Sequence, residues 1–521
     1  MSNLSNFLHR SADIYPDKTA IIYGDSCISY QHLRAATSSI VKKLKAMGVT
    51  PGQSIALSCP NIPQFIMIYY GILSTGATVV PLSILLKPRE IIYHLQDSEA
   101  VAYFCFEGTD ELPIGHWGLE AFNETESCQS FIAITADQNA ISWNEQKTLA
   151  SFFNQSSTNQ VFNSLPNDTA AILYTSGTTG QPKGAELSHH NLTMNTLSCM
   201  ALTKSDSRDI HLVVLPLFHS FAQTVQMHHA IATSSTMVLL ARFDAQTVLN
   251  TLAKEKVSIF AGVPTMYIGL NAAASHIPPE LKEIISENLR ICVSGGGPMP
   301  VEILNQFEKN FHITLLEGYG LSETSPAACF NSLDHERITG SIGRPIAGVQ
   351  AKIIDEHGHS LPSGREGELL IKGHNVMKGY LNNPGQTEKS ITDGWFHTGD
   401  IARSDKAGNL YIVDRLKDMI IRGGFNIYPR EVEEVLITHP AIQMVAVIGV
   451  PDDHYVEEIM ACIVLNDGAK ASPDSIKEWS QKQLGSYKYP RHIKILEQLP
   501  LTSTGKILKR ELRSQIIPEQ L

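Results

Sequence analysis

Short runs of β-branched and aromatic residues alternate with segments of helical period along most of this chain, and that alternation leaves few folds open. Residues 19–23 and 54–58 read as strands, and 30–47 as an amphipathic helix stopped by Gly48. Further strands are expected at 170–175, 211–216, 236–240, 258–261, 290–294 and 314–319. Strands separated by helices build α/β layers with largely parallel sheets, because a parallel crossover needs a helix to cover the sheet face. In such layers phosphate-bearing ligands sit at loops that follow strand C-termini.

The texture changes after about Arg344. Residues 349–354, 367–373 and 408–413 read as strands bounded by Gly, Asp and Pro, which suits a smaller antiparallel or barrel-like section. The last hundred residues read as a compact α+β unit, with helices at 432–438 and 475–484 and strands at 444–450 and 459–465. With 521 residues the chain exceeds the size at which a single core stops growing. The expected division is a large body, 1–415, and a small C-terminal unit, 416–521, with the boundary near Asp414–Lys417.

Composition excludes several classes. Charged residues make up 18% and hydrophobic residues 43%, the balance of a folded globular chain. A net charge of −11 gives no electrostatic footprint for nucleic acid. The eight cysteines form no CxxC pair, so zinc and disulfide scaffolds are not expected and a reducing, cytoplasmic setting is. Residues 62–86 are apolar enough to suggest a membrane span. Pro63, Gln64, Gly71, Gly76 and Pro81 instead divide them into a buried helix, 63–74, a glycine turn and a buried strand, 77–82. The start, Met1-Ser-Asn-Leu-Ser-Asn-Phe, lacks the basic and apolar regions of a secretory signal.

The segment richest in chemistry is Thr175-Ser-Gly-Thr-Thr-Gly-Gln-Pro-Lys183, between an apolar strand and a helix-like run starting near His190. Its glycines let backbone amides approach an anion, and its hydroxyls add donors. Lys183 supplies a mobile positive charge. It is not a Walker A loop, because Lys183 follows Gln181-Pro182 and precedes Gly184. Further motifs follow in order: Pro216-Leu-Phe-His219-Ser-Phe221, Ser294-Gly-Gly-Gly-Pro298, Gly318-Tyr-Gly-Leu-Ser-Glu-Thr324, Thr398-Gly-Asp400, Asp414-Arg415, Arg422-Gly-Gly-Phe425 and Leu501-Thr-Ser-Thr-Gly-Lys506.

With these motifs the sequence resembles the adenylate-forming superfamily of acyl-CoA synthetases, luciferases and peptide-synthetase adenylation domains. The whole-length pattern is most similar to bacterial medium- and long-chain fatty-acyl-CoA synthetases, notably at Phe260-Ala-Gly-Val-Pro-Thr-Met-Tyr267, Asn375-Val-Met-Lys-Gly-Tyr380 and Asn426-Ile-Tyr-Pro-Arg-Glu-Val432. The resemblance implies that a carboxylic acid and ATP give acyl-AMP and pyrophosphate, and that CoA then takes the acyl group. It implies phosphate contacts from Thr175, Ser176, Gly177, Thr178, Thr179, Gly180, Lys183 and Ser322, with Glu323 holding Mg²⁺. Gly295, Gly296, Gly297, Glu317, Gly318 and Tyr319 would contact adenine, and Asp400 and Arg415 the ribose.

Lys417 matches the hinge of a mobile C-terminal domain, and Lys506 the catalytic lysine it carries. His219 would gate the thiol tunnel, and Gly423, Gly424 and Phe425 would lie along CoA. Phe221, Gln226, Val263 and Met266 are acyl-pocket candidates. The implied partners are a small-molecule acid, ATP and CoA, with a homodimer as the assembly, only peripheral membrane contact and no nucleic acid. Several readings stay open from the residues alone. The acid is fatty or an aryl, phenylpropanoid type. No carrier domain is read after Leu521, which disfavours a multidomain peptide synthetase and makes free CoA the simplest expected acceptor; a stand-alone enzyme that loads a separate carrier protein is the alternative. A nucleotide-binding pseudo-enzyme and a luciferase-like oxygenase share the same motifs.

Overall fold

The structure is a computed structural model that describes residues 2–153, 160–175, 181–452 and 454–516. Two nine-stranded sheets form the large body. One runs, by first residues of its strands, 344, 327, 315, 291, 259, 210, 236, 19 and 26. The other runs 379, 183, 169, 78, 54, 102, 130, 146 and 142. Strands Ser54–Ser58 and Thr78–Leu82 are buried at every position, as parallel strands covered on both faces must be. Helix Pro63–Ser74 begins on a proline, whose missing N–H costs nothing at a helix start. It buries Phe65, Ile66, Ile68, Tyr69, Tyr70, Ile72 and Leu73, so the apolar run at 62–86 is core. Among the described residues no helix is long and apolar enough to cross a membrane.

One apolar core reaches from Leu4 to Leu410 and joins both sheets to an antiparallel five-stranded one, and a second, around Ala56, Val80, Tyr103 and Ile172, covers the other face of the strands at 54 and 78. That third sheet carries Val349–Ile354, Gly367–Gly373, Trp395–Ser404 and Leu410–Arg415. A fourth sheet is built from Ile420–Arg422, Phe425–Ile427, Ile442–Asp452, Val456–Leu465 and His492–Ile495. It has cores of its own, one around Val432, Leu436, Val447, Ile459 and Ile476 and one around Ala446, Ile448, Leu499 and Leu512. The fold is thus mixed α/β with a smaller C-terminal part.

Three departures from the sequence reading position the site. The expected strand 211–216 is Ile210–Val213. Beyond it Asn61 replaces the ladder: its Nδ2 donates to the Leu215 carbonyl at 2.9 Å and its Oδ1 accepts from Leu217 N–H at 2.9 Å. The chain there is freed to turn and present His219. The expected strand 408–413 lies two residues later, at Leu410–Arg415. The helix expected at 432–438 is Pro429–Leu436, started by its proline.

Candidate active site

The loop richest in hydroxyls closes a hairpin that the sequence reading did not expect. Lys183–Ser188 is a strand, antiparallel to Thr169–Thr175 with Lys183 opposite Thr175, and the following helix starts at His189. Ser176, Gly177, Thr178, Thr179 and Gly180 lie outside the described residues. One end of the hairpin and the strand paired beside it meet one carboxylate. Thr175 Oγ1 donates to Glu323 Oε1 at 3.0 Å, and Tyr380 OH donates to the same oxygen at 3.1 Å. Lys183 Nζ stands 5.4 Å from the centre of the Tyr380 ring. Tyr380 was not named as a site residue from sequence. It arrives because Gly379–Tyr380 pairs with the hairpin, and its only signal was the segment 375–380.

Glu323 sits in the short helical turn Ser322–Thr324, after strand Leu315–Gly320. Ser322 Oγ lies 3.2 Å from Ser220 Oγ, beside His219. Among the described residues there is no cluster of three metal-ligating side chains. One buried carboxylate beside Thr175 and Ser322 would nevertheless fit Mg²⁺, since that ion takes one or two carboxylates plus phosphate oxygens.

The separation of Asp400 and Arg415 is explained by register. Trp395–Ser404 and Leu410–Arg415 are antiparallel with Asp400 directly opposite Arg415, and Arg415 Nε lies 3.2 Å from Asp400 Oδ1. Tyr319 OH donates to Asp400 Oδ2 at 2.5 Å, so that ring is tied to the pair by its hydroxyl. Asp400 is only 3% exposed, and burial raises its carboxyl pKa against the pull of Arg415.

Glu317 is buried beside this group and accepts from Gly340 N–H at 3.1 Å. Burial pushes its pKa up to about 7, with Arg430 and the Gly340 bond opposing. The folded protein therefore keeps a proton that an unfolded glutamate loses near 4.5, and stability falls as pH rises between those values. Glu317→Gln stays uncharged and keeps an acceptor. It should melt several degrees above the parent at about pH 8, with the gap closing as pH falls toward 4.5, in thermal melts across pH.

Lys506 reaches this centre from the far end of the chain. Its loop is closed by Thr502 N–H to the Lys506 carbonyl at 2.7 Å and by Lys506 N–H to Thr502 Oγ1 at 3.0 Å. It is seated on the body by Thr265 Oγ1, which donates to the Gly505 carbonyl at 3.0 Å. Gly296 has a left-handed φ of +81°, and a Cβ there would stand 3.1 Å from Lys506 Cε. Burial and Arg415 bring the Lys506 ammonium down to about 8, while Asp400 and Glu323 hold it up.

Leu215, His219, Phe221, Val263, Gly296 and Lys506 line a cavity of about 10 Å³, room for about one water. His219 also lines a second cavity of about 150 Å³ with Leu173, Tyr174, Ser220 and Ser322. Burial and then Lys506 lower the His219 pKa to about 3, and its Nδ1 accepts from Phe221 N–H at 3.2 Å. The imidazole is thus neutral, with its proton on Nε2.

The remaining candidates divide. Phe221 and Val263 line the small cavity, and a Cβ on Gly295 would stand 3.1 Å from Phe221 Cζ. Gln226 does not line it: its Nε2 donates to the Leu212 carbonyl at 2.7 Å, from a π-helix, Ala222–His228, that the sequence reading did not see. Met266 is buried nearby without lining the cavity. Gly297 is open beyond Pro264, and Gly318 packs under Phe330. Lys417 is exposed between Leu410–Arg415 and Ile420–Arg422. Gly423 and Gly424 form the tip of a hairpin with left-handed φ values, and Phe425 is exposed beside them. What converges is a set of cations and hydroxyls around two buried carboxylates, walled on one side by an apolar cavity. Such a centre can neutralise a polyphosphate while holding an uncharged tail.

Comparison with known proteins agrees with that chemistry. The family described as AMP-binding enzyme matches residues 8–381, and the AMP-binding enzyme C-terminal domain matches 431–506. The chain is 35% identical to a long-chain-fatty-acid–CoA ligase of Bacillus subtilis, over 98% of this chain and 94% of that one. It is 33% identical to a feruloyl-CoA synthase of an Amycolatopsis species, over 97% of both. The crystal structure of ATP-bound MatB from Rhodopseudomonas palustris superposes with a TM-score of 0.88 at 28% identity, covering 99% of both chains.

Proposed function

The chain belongs to the AMP-binding enzyme family and is an AMP-forming acyl-CoA synthetase, and from that premise we propose that its acid is a medium- or long-chain fatty acid. The observation that carries the reading is the 35% identity to a long-chain-fatty-acid–CoA ligase over 98% of this chain. It is supported by the side chains packed around Lys506, where Leu215, Phe221 and Val263 close the space to about 10 Å³ and would have to part to admit an apolar chain. Among the described residues no charged one besides Lys506 lines that cavity, so a second carboxylate or an amine on the tail would be buried there without a partner, at a cost of several kcal/mol.

In the proposed reaction the acid's carboxylate oxygen attacks the α-phosphorus of ATP, and pyrophosphate leaves. Lys506 neutralises negative charge that develops between carboxylate and α-phosphate, a form of transition-state stabilisation that needs a preplaced cation. Thr175, Lys183 and Ser322 would hold the phosphates, Glu323 would hold a Mg²⁺ that neutralises them, and Asp400 with Arg415 would hold the ribose. The thiol of CoA loses its proton to solvent, its sulfur attacks the acyl carbon, AMP leaves with the electron pair of the acyl–oxygen bond, and the thioester is complete. Neutral His219 neither competes for the carboxylate nor draws a proton from the thiol; it separates the two routes. Lys417 is the hinge on which a C-terminal unit, 416–521, turns between the steps. The separate cores of that unit support the division.

The relative that makes feruloyl-CoA supports a second reading, in which an aryl acid enters beside Phe221. Purified protein given ATP, Mg²⁺ and CoA with octanoate, palmitate, ferulate or benzoate separates the two. Palmitoyl- or octanoyl-CoA is expected as the dominant mass-spectrometric product. Faster conversion of ferulate overturns the fatty reading. Acyl-AMP without thioester overturns CoA as the acceptor in favour of a carrier protein.

A further inference from the structure

We propose that His94 is the base of the second step: its Nε2 takes the proton of the acceptor thiol in the larger cavity and hands it to solvent. This rests on CoA being the acceptor.

The larger cavity, of about 150 Å³, offers a thiol a way in. At one end it is lined by Ser83 and Leu86, both half-buried beside exposed Leu85, and at the other by buried Ser220 and His219. It shares only His219 with the small cavity at Lys506. A thiol arriving there meets, across that one ring, the carbonyl carbon of an acid seated beside Lys506.

The chemistry of the wall singles out His94. Among the described residues lining this cavity, only His94, Tyr174 and His219 carry groups that titrate. Tyr174 OH donates to Asp97 Oδ2 at 2.7 Å, and burial together with that carboxylate keeps its proton on. His219 accepts from Phe221 N–H at Nδ1, so its Nε2 already bears a proton. His94 is the opposite tautomer. Its Nδ1 lies 2.5 Å from the Glu90 carbonyl, which only accepts, so Nδ1 holds the proton and Nε2 is bare. Among the described residues nothing bonds that Nε2.

The ring is held firmly for this task. It sits on helix Pro88–Asp97, only 3% exposed, and stands edge to face with Tyr174 at 4.2 Å between centroids. Burial lowers its pKa, while the Glu90 carbonyl and the carboxylates of Glu90 and Asp97 favour the charged ring. Helix Ile114–Asn123, packed on the same helix, adds no charge to that balance, and across the cavity stand neutral Tyr174 and His219. In the step itself the S–H bond breaks, its proton goes to Nε2 and its electron pair stays on sulfur. Sulfur then bonds the acyl carbon, the acyl–oxygen bond breaks with its pair leaving on AMP, and the imidazolium releases its proton to water at the cavity mouth.

His94→Asn tests the proposal, because its amide can still donate to the Glu90 carbonyl while the bare nitrogen is gone. The readout is single-turnover thioester formation from CoA and a supplied adenylate of the preferred acid, between about pH 6.5 and 9.5, with thermal melts as the check on folding. A free thiol of pKa about 8.5 is only about 3% ionised at pH 7. The parent, with its base in place, should be nearly level from about pH 7 to 8.5. The variant should be about thirtyfold slower at pH 7, gain about tenfold per pH unit, and meet the parent near pH 9. A parent that climbs with pH as steeply as the variant, or a deficit of the same size at every pH, overturns the role of His94 and leaves CoA as acceptor. Acyl-adenylate consumed by the parent without any CoA thioester overturns the acceptor reading and this role with it.

Discussion

Lys506→Ala should cut acyl-adenylate formation by about a hundred- to a thousandfold, while thioester formation from supplied acyl-adenylate slows by less than about threefold. The lysine touches the centre through a side chain seated beside Gly296 and near Asp400, Arg415 and Glu323. A cation placed there is worth most while charge develops at the α-phosphate, and in the proposed second step the turn about Lys417 carries Lys506 away from this centre. Pyrophosphate release and mass-spectrometric thioester counts report the two steps separately; equal loss in both would contradict the assignment.

The same residue sets a pH limb. With its pKa near 8 in the free protein, kcat/KM for adenylation should fall as pH rises through about 8, because deprotonation removes the charge. Bound phosphates favour the ammonium, so the corresponding limb in kcat lies at higher pH.

Gly320→Ala should be the more damaging change to the fold, by more than about 3 kcal/mol. A Cβ there would stand 1.7 Å from the Pro326 carbonyl oxygen and 2.6 Å from its carbon. Both are backbone atoms of the opposing strand connection, so no side chain can swing away to make room. Gly320 faces Ala327 across the ladder, and the turn between them holds Ser322 and Glu323. Relieving the clash therefore opens the turn that positions both residues, and adenylation should be lost along with stability. Gly297→Ala is the matched control, since a Cβ there meets nothing closer than Pro264 Cδ at 3.7 Å. Denaturant unfolding of the two variants checks the contrast, and a Gly320→Ala protein as stable as the parent would refute it.

The layered fold was legible because its signal is local. Apolar runs such as Ser54–Ser58 and Ile291–Ser294 stand out wherever both faces are covered. Lys183–Ser188 was missed because Lys-Gly-Ala-Glu-Leu-Ser has neither alternation nor a β-branched residue; pairing with Thr169–Thr175 makes it a strand. Tyr380 escaped notice for the same reason, since only that hairpin brings it to Glu323. Asp400 and Arg415 were readable as a pair from motif spacing, but the register that opposes them depends on where Leu410–Arg415 begins. Gln226 was placed in the acyl pocket from sequence. Its Nε2 is bonded to the Leu212 carbonyl, and the helix there winds with a π period that no residue pattern announced.

The two cavities share one lining residue, His219. The linings of the two spaces are therefore nearly independent. If the acid enters beside Phe221 and Val263 as proposed, those two side chains can be reshaped without touching the wall around Tyr174 and Ser322. A substitution at His219 alters both walls at once, which makes it the position to leave fixed when either side is redesigned.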